Sequence, residues 1–330
     1  MRKLLAADLF CGAGGTSAGA EESGAVKLVF GLNHWSVAID THSANHPTAK
    51  HVCDKLDRVA PSECGKIDLL FASPKCTHFS RARTGPTNDQ DRADAWDVMK
   101  WIEYHRPSFV VCENVVEFKT WGPVGSNGRP MPSRKGAFFD AWIAAIKSAG
   151  YAVDFRELVA ADFGAHTSRK RLFVIARKGN RYPSWPEPTH AKTMLNTLPF
   201  PGLNGWNVAS DIIESMPGKS ITDRRRRLAD ATVRKIEEGR ARYGSRFLIE
   251  YYGTGGSVSV DVPLPTITTR DRFALVDGDT LRMLTNHELA AAQGFRPGYV
   301  FCGTQTEITC QIGNSVSPPV AKAISISIAS

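Results

Sequence analysis

The sequence predicts an α/β protein with a doubly wound, mostly parallel sheet, and three observations carry that prediction. Short apolar runs bounded by turn residues alternate with segments of helical periodicity, the order that builds a parallel sheet with helices on its faces. The first run ends in a glycine-rich turn, Cys11-Gly12-Ala13-Gly14-Gly15, of the kind that joins strand to helix and lets backbone approach a ligand closely. Two side chains with chemistry to offer, Cys76 and Glu113, fall just beyond apolar runs, where open α/β sheets place their ligands.

Leu4–Phe10 reads as the first buried strand and Thr16–Ser23 as the helix after the turn. A dinucleotide fingerprint requires a third glycine at position 17, where Ser17 stands, and an acid closing the next strand. That strand, Lys27–Leu32, ends in Asn33-His34-Trp35, which argues against a nicotinamide oxidoreductase. A helix over Ser36–Ala44 and a short strand His51–Val52 lead to Asp54, and Ile67–Ala72 delivers Pro74-Lys75-Cys76. Most cysteines in soluble proteins are small buried hydrophobes. Cys76 becomes the candidate nucleophile through the company it keeps further along the chain.

Arg92–Tyr104 carries a helical stripe of Ala95, Val98, Met99 and Ile102, mostly core. Ser108–Cys112 is a further apolar strand, and Glu113-Asn114-Val115 at its end offers a candidate general acid. After a helix over Gly136–Ala149 come strands Ala152–Ala160 and Arg171–Arg177, with Thr167-Ser168-Arg169-Lys170-Arg171 leading into the second. Two arginines one residue apart at a strand's start point to one side; a merely solvated charge run is an equal alternative.

Near Asn180 the composition turns to Pro183, Pro186, Pro188, Pro199 and Pro201, suggesting irregular structure. Asp223–Tyr243, with Arg224, Arg225, Arg226 and Arg227, reads as a basic surface helix able to bind phosphates, or else as a solvated face. The globular pattern returns at Leu281. The formal charge of +8 and pI near 9.2 fit a polyanionic partner. The N-terminal apolar run is too short for a signal peptide and no run reaches a membrane span, so a soluble protein of the cytoplasm is expected, bacterial or in a phage-infected cell. Seven cysteines without a Cys-x-x-Cys pair point to free thiols, with no zinc motif.

These pieces follow a known order: the sequence resembles the DNA cytosine-5 methyltransferases over nearly its whole length, most closely the compact phage and prophage members. Asp8-Leu9-Phe10-Cys11-Gly12-Ala13-Gly14-Gly15 is similar to their donor-binding motif, Pro74-Lys75-Cys76 with Phe79-Ser80 to the catalytic loop, and Glu113-Asn114-Val115 to the acid motif. Thr167 to Arg171 is similar to Gln-x-Arg-x-Arg, and Arg282-x-Leu284-Thr285 with Glu288 and Gln293-Gly294-Phe295, then Gly313-Asn314-Ser315-Val316, match the last two motifs.

The resemblance implies a Rossmann-like methyltransferase fold: a catalytic domain over 1–179, an inserted target-recognition region over 180–280, and a C-terminal segment, 281–330, returning to the first domain. It implies transfer of a one-carbon group from S-adenosyl-L-methionine to carbon 5 of a cytosine flipped out of double-stranded DNA, by a monomer of restriction-modification type. Carbon 5 is a poor nucleophile until a thiolate adds to carbon 6, which gives Cys76 its role. Glu113 then bonds ring nitrogen 3 and Arg169 supports the base and the thiol, with Ser80, Asn114, Thr167, Arg171 and Arg224 to Arg227 on the substrate side. Phe10, Gly12, Gly14, His34, Trp35, Asp54, Lys75, Asn314, Ser315 and Val316 are expected around the donor.

Three departures stand out: His34 replaces the usual ribose-binding Glu, Thr167 the usual Gln, and Lys75 the second Pro of Pro-Pro-Cys. Lys75 opens an alternative donor, carboxy-S-adenosyl-L-methionine, whose carboxylate it would pair, giving 5-carboxymethylcytosine. A tRNA substrate is also open within the same chemistry, as is a catalytically inactive DNA-binding homologue.

Overall fold

The structure is a computed structural model and describes residues 2–75, 94–125, 129–192, 202–251 and 255–330. Its contacts group the chain into two units. The first comprises Met1–Val159, Lys170–Glu187 and Pro318–Ser330; the second comprises Ala160–Arg169 and Pro188–Ser317.

In the first unit, β1 (Leu4–Leu9), α1 (Gly15–Glu22), β2 (Val26–Asn33), α2 (Ser36–Asn45), β3 (Lys50–Cys53), β4 (Leu69–Ala72), α3 (Asp94–His105) and β5 (Phe109–Asn114) alternate as the sequence predicts. After α4 (Ala137–Ser148), β6 (Tyr151–Val159) and β7 (Lys170–Lys178) complete a sheet of order β3-β2-β1-β4-β5-β7-β6. The strands from β3 to β5 run parallel, and β7 pairs antiparallel with both β5 and β6. Burial on both faces explains the near-continuous apolar composition of β1 and β4. Phe30, Trp101, Phe118, Trp121 and Trp142 are nearly inaccessible in this core, and burying each such side chain stabilises by roughly 1.5–3 kcal/mol or more. Trp142 Nε1 donates to Ala95 O at 2.8 Å, tying α4 to α3 without stranding a polar group.

The C-terminal helix Pro318–Ala329 lies against α1. Glycine at position 19 permits this, since a Cβ there would stand 2.0 Å from Pro318 O. Among the described residues, no helix is long and apolar enough to cross a membrane.

The second unit contains a parallel pair, β8 (His190–Ala191) and β9 (Asn204–Gly205), and a sheet built from β10 (Lys219–Ser220), β11 (Arg246–Glu250), β12 (Ser257–Ser259), β13 (Phe273–Asp277) and β14 (Thr280–Met283). That sheet is antiparallel, in the order β10-β14-β13-β11-β12. Its helices are α5 (Asp230–Tyr243), α6 (Asn286–Gln293) and α7 (Gln305–Asn314), and the C-terminal helix of the first unit is α8. Thr285 with Glu288, and Thr304 with Glu307, form reciprocal capping boxes that start α6 and α7.

Three expectations shift. Glu113 and Asn114 end β5 rather than following a strand that stops at Cys112, because the ladder with β7 continues to Asn114 opposite Leu172. The basic helix begins at Asp230, and Arg224 to Arg227 precede it in turns. Arg224 donates to the carbonyls of Lys219, Ser220 and Leu281, which fixes that stretch outside the helix. The division into two units also differs from the boundaries 1–179, 180–280 and 281–330. Leu284, Leu289, Phe295 and Ile312 share a core with Leu248, Leu264 and Phe273, so residues 281–317 belong with the second unit.

Candidate functional site

The parallel strands from β3 to β5 deliver their carboxyl ends to one edge of the first unit's sheet. At the end of β1, Phe10 adopts φ 59°, a left-handed conformation rare for a bulky residue, and Gly12 and Gly14 follow at 53° and 88°. Such strain costs of order 1–3 kcal/mol for a non-glycine residue and collects at ligand-binding turns. Cys11 N donates to Leu32 O at 3.0 Å and Gly14 N to Cys11 O at 2.9 Å, so the turn is rigid. Its glycines carry no side chain that would block close approach to the backbone.

At the end of β2, buried Asn33 accepts from Trp35 N at 2.9 Å, with His34 exposed and Trp35 half-buried beyond it. Asp54, beyond β3, accepts from Lys55 N at 2.7 Å and lies 3.9 Å from Arg58, its carboxyl still partly exposed. Lys75, beyond β4, is exposed. Partial burial and the Lys75 and Lys55 cations hold the His34 imidazole below its usual range, against the pull of Asp94. Asp94, first residue of α3, accepts the Lys75 backbone N–H; burial raises its carboxyl, opposed by that bond and the Lys75 charge. Sequence reasoning missed Asp94, since an acid opening a helix reads as an ordinary dipole partner.

At the end of β5, Glu113 Oε1 lies 3.3 Å from Arg171 Nε, both largely buried. The antiparallel register explains the pair: Glu113 faces Phe173, so Arg171 stands diagonally across on the same side of the ladder. Neighbouring Glu157 meets Lys119 and, at 3.5 Å, Lys170. Buried Asn114 donates to Pro74 O at 3.1 Å and accepts from Val115 N at 2.9 Å. Its amide is thus taken up by backbone, which makes it an anchor for the start of the Pro74-Lys75 loop rather than a group turned toward substrate. Cys76 and Ser80 lie outside the described residues.

The remaining predicted residues belong to the second unit. Thr167 is fully buried and donates to Pro265 O at 3.1 Å, and Arg169, 3% exposed, donates to Ile267 O at 3.1 Å. The two arginines of the motif therefore have separate partners. Asn314 is exposed; Ser315 and Val316 are buried, with Ser315 O accepting from Gln293 Nε2 at 2.7 Å. Arg225 to Arg227 are exposed.

The family profile described as C-5 cytosine-specific DNA methylase matches residues 4–330. The chain belongs to that family. It is 28% identical over 347 residues to the type II methyltransferase M1.HphI of Haemophilus parahaemolyticus, covering 96% of this chain and 84% of that one. With M.XorII of Xanthomonas oryzae pv. oryzae it shares 28% over 312 residues, 89% of this chain and 68% of the relative. Among solved structures, a putative DNA modification methyltransferase encoded within an E. coli prophage superposes with a TM-score of 0.66 at 20% identity, covering 98% of each chain. Membership in the C-5 cytosine methylases carries the general chemistry: a methyl group moves from S-adenosyl-L-methionine to carbon 5 of cytosine in DNA.

Proposed function

We propose that Cys76 is the nucleophile of this cytosine-5 DNA methyltransferase and that Glu113, held by Arg171, supports the covalent adduct. The observation that carries this reading is the Glu113–Arg171 pair at 3.3 Å, with the adjacent Asn114 bonded to Pro74, two residues before Cys76. The Cys76 thiolate adds to carbon 6 of a flipped cytosine, forming the S–C6 bond and shifting the ring's electrons to carbon 5. Glu113 bonds nitrogen 3 and balances the proton there. Carbon 5 would then take the methyl group, the donor's sulfur leaving with the bonding pair, and loss of the carbon-5 proton to a base would re-form the double bond and expel the thiolate.

S-adenosyl-L-methionine supplies an electrophilic methyl group when bound. Its amino-acid end suits the turn Phe10, Gly12 and Gly14, its ribose His34 and Trp35, and its adenine amino group Asp54. The roles of Arg169, Thr167, Ser80, Asn314, Ser315 and Val316 rest on motif order alone. Exposed Arg225 to Arg227 suit phosphates of double-stranded DNA, and the bacterial relatives support a cytoplasmic setting. Duplex DNA carrying 5-fluorocytosine tests the mechanism, because fluorine cannot leave as a proton does and the adduct is trapped. Mass analysis should find the adduct on the peptide containing Cys76, with tRNA failing to compete; no adduct, or one on another residue, sinks the assignment.

A second reading concerns the donor and starts from Lys75, which stands where the family usually has proline. Lys75 and Lys55 both act on His34, where the family usually has an acid. Two like charges about 5 Å apart repel by roughly 3 kcal/mol at an effective dielectric of about 20, so a cation there disfavours an ordinary sulfonium donor. Carboxy-S-adenosyl-L-methionine carries a carboxylate on the transferred carbon, which Lys75 would pair. Both donors supplied together, followed by nucleoside mass spectrometry, separate the two: this reading requires carboxymethyl product from wild type and a shift to methyl in Lys75→Pro.

A further inference from the structure

Beneath the donor turn a row of polar side chains crosses three strands. Asp8, Gly31 and His51 are register partners on β1, β2 and β3, so their side positions line up on one face. Gly31 leaves its place open, since a Cβ there would lie 3.0 Å from His42 Cε1 and 3.4 Å from His51 Cδ2. His42 of α2 fills that space. Ser17 Oγ lies 2.7 Å from Asp8 Oδ2 and 3.1 Å from His42 Nε2, and His42 Nδ1 lies 2.8 Å from His51 Nε2. Asp8, Ser17 and His42 are 1%, 0% and 0% exposed, whereas His51 is half-buried. A continuous chain of hydrogen bonds therefore runs from a sealed carboxyl to a ring that solvent reaches.

A hydroxyl has one proton and a neutral imidazole one N–H, so the bonds along the chain all run in the same direction. With Asp8 ionised, Ser17 donates to it, His42 Nε2–H donates to Ser17, and His51 Nε2–H donates to His42 Nδ1. With the Asp8 proton on Oδ2 each bond reverses, and His42 donates from Nδ1 to a bare His51 Nε2. One proton shifted along each bond converts the second arrangement into the first. Asp8 then carries the negative charge and His51, which also bonds the Ala49 backbone, holds the extra proton and can give it to water.

The groups around this chain set its balance. Burial raises Asp8 to about 6, against the Ser17 bond and the charge of His46. Burial lowers His42 and His51, and His46 lowers both further. His46 of α2 itself pairs with Glu21 of α1 at 2.7 Å, and Glu21 also feels Lys3. Cys11 in the turn is pushed far up by burial, Asp8 and Cys53. Among the described residues nothing hydrogen-bonds the buried Asp8 Oδ1, so they leave the ionised carboxylate incompletely balanced.

We propose that Ser17, His42 and His51 are positioning residues for the donor: their chain carries the Asp8 proton to solvent when a cationic donor binds at Phe10–Gly14, coupling donor binding to proton release. The inference rests on the donor-site reading above. Asp8 and Ser17 flank that turn on either side, at the end of β1 and in the first turn of α1.

Calorimetric titration of the full chain with S-adenosyl-L-methionine, in two buffers of different ionisation enthalpy, tests it. The dissociation constant should fall about tenfold per pH unit below the Asp8 midpoint and level off above it, with close to one proton released per donor at about pH 5 and none at about pH 8.5. Ser17→Ala removes the bond that stabilises the carboxylate, so the midpoint should move to higher pH, whatever the high-pH affinity becomes. A purely structural role would change the high-pH affinity and leave the midpoint in place. Wild-type affinity that ignores pH, or an unmoved midpoint in Ser17→Ala, overturns the inference, whereas no binding at any pH overturns the donor-site reading itself. Nitrogen-15 spectra of the donor-free protein give an independent readout. His42 should switch between its Nδ1–H and Nε2–H forms across the same midpoint, and a single form throughout also overturns the chain.

Discussion

Glu113 shows how little a residue's identity says until its partner is known. Arg171 fixes its carboxyl at 3.3 Å, so Glu113→Gln and Arg171→Ala should both slow turnover by about 10²-fold or more, the scale of lost acid–base support. Single-turnover rates check this, and an Arg171→Ala enzyme as fast as wild type would remove the pair from the mechanism. Asp8 and His42 lend themselves to a stability measurement. Asp8 is raised from 3.8 to about 6; alone it adds stability that is complete below about pH 4 and lost as pH rises through 6. His42 is depressed from 6.5; alone it adds stability present above that value and lost as pH falls. In the window between, folding moves a proton from one group to the other and the two effects cancel. Asp8→Asn leaves the histidine contribution by itself, so the unfolding free energy of the variant, taken from urea melts, should drop toward acid by up to about 1.4 kcal/mol per pH unit relative to wild type. Equal pH dependence in both proteins would mean that the two groups do not offset one another.

At the scale of elements, the packing of α1 on α8 depends on a missing side chain. Alanine in place of Gly19 gains about 1 kcal/mol of helix propensity, but its Cβ would stand 2.0 Å from Pro318 O. Overpacking of this kind costs about 1–3 kcal/mol or more. Gly19→Ala should therefore lower the denaturation midpoint, and Gly19→Val should lower it further; a stabilised Gly19→Ala would show that α8 shifts without cost. The sequence placed the first helix after its glycine turn but not the C-terminal one, and the requirement for glycine arises from elements about 300 residues apart in sequence. The same holds for β7, whose antiparallel pairing with β5 extends that strand through Glu113 and Asn114 and selects Arg171 as the partner.

For the whole molecule, charge and stability separate within one run of arginines. Arg225 to Arg227 are exposed, and the 3.9 Å approach of Arg227 to Asp230 is too open and solvated to matter. Neutralising these three should reduce the slope of log affinity against log salt by about 0.9 for each duplex phosphate that they neutralise in the wild type. Arg224→Gln should leave that slope unchanged and lower stability, because its guanidinium holds three carbonyls. Filter binding over a range of salt, with urea melts of both variants, checks the distinction; equal salt slopes for wild type and the triple variant would leave the exposed run as solvated surface.

The sequence by itself determined the alternation of strands and helices, the glycine turn after β1 and the residue types at the strand ends, because these depend on periodicity and on backbone conformations open to few residues. It also determined the family, through motifs short enough to read locally. Tertiary structure alone decided which groups meet. The Glu113–Arg171 pair depends on register, the capture of Lys75 by Asp94 joins two elements, and the buried row from Asp8 to His51 exists because β1, β2 and β3 lie side by side with Gly31 between them. Ser17, read in sequence as a missing glycine, is a hydrogen-bonding link for the same reason: its partners lie on neighbouring elements, and no local pattern carries information about what a folded sheet brings across to it.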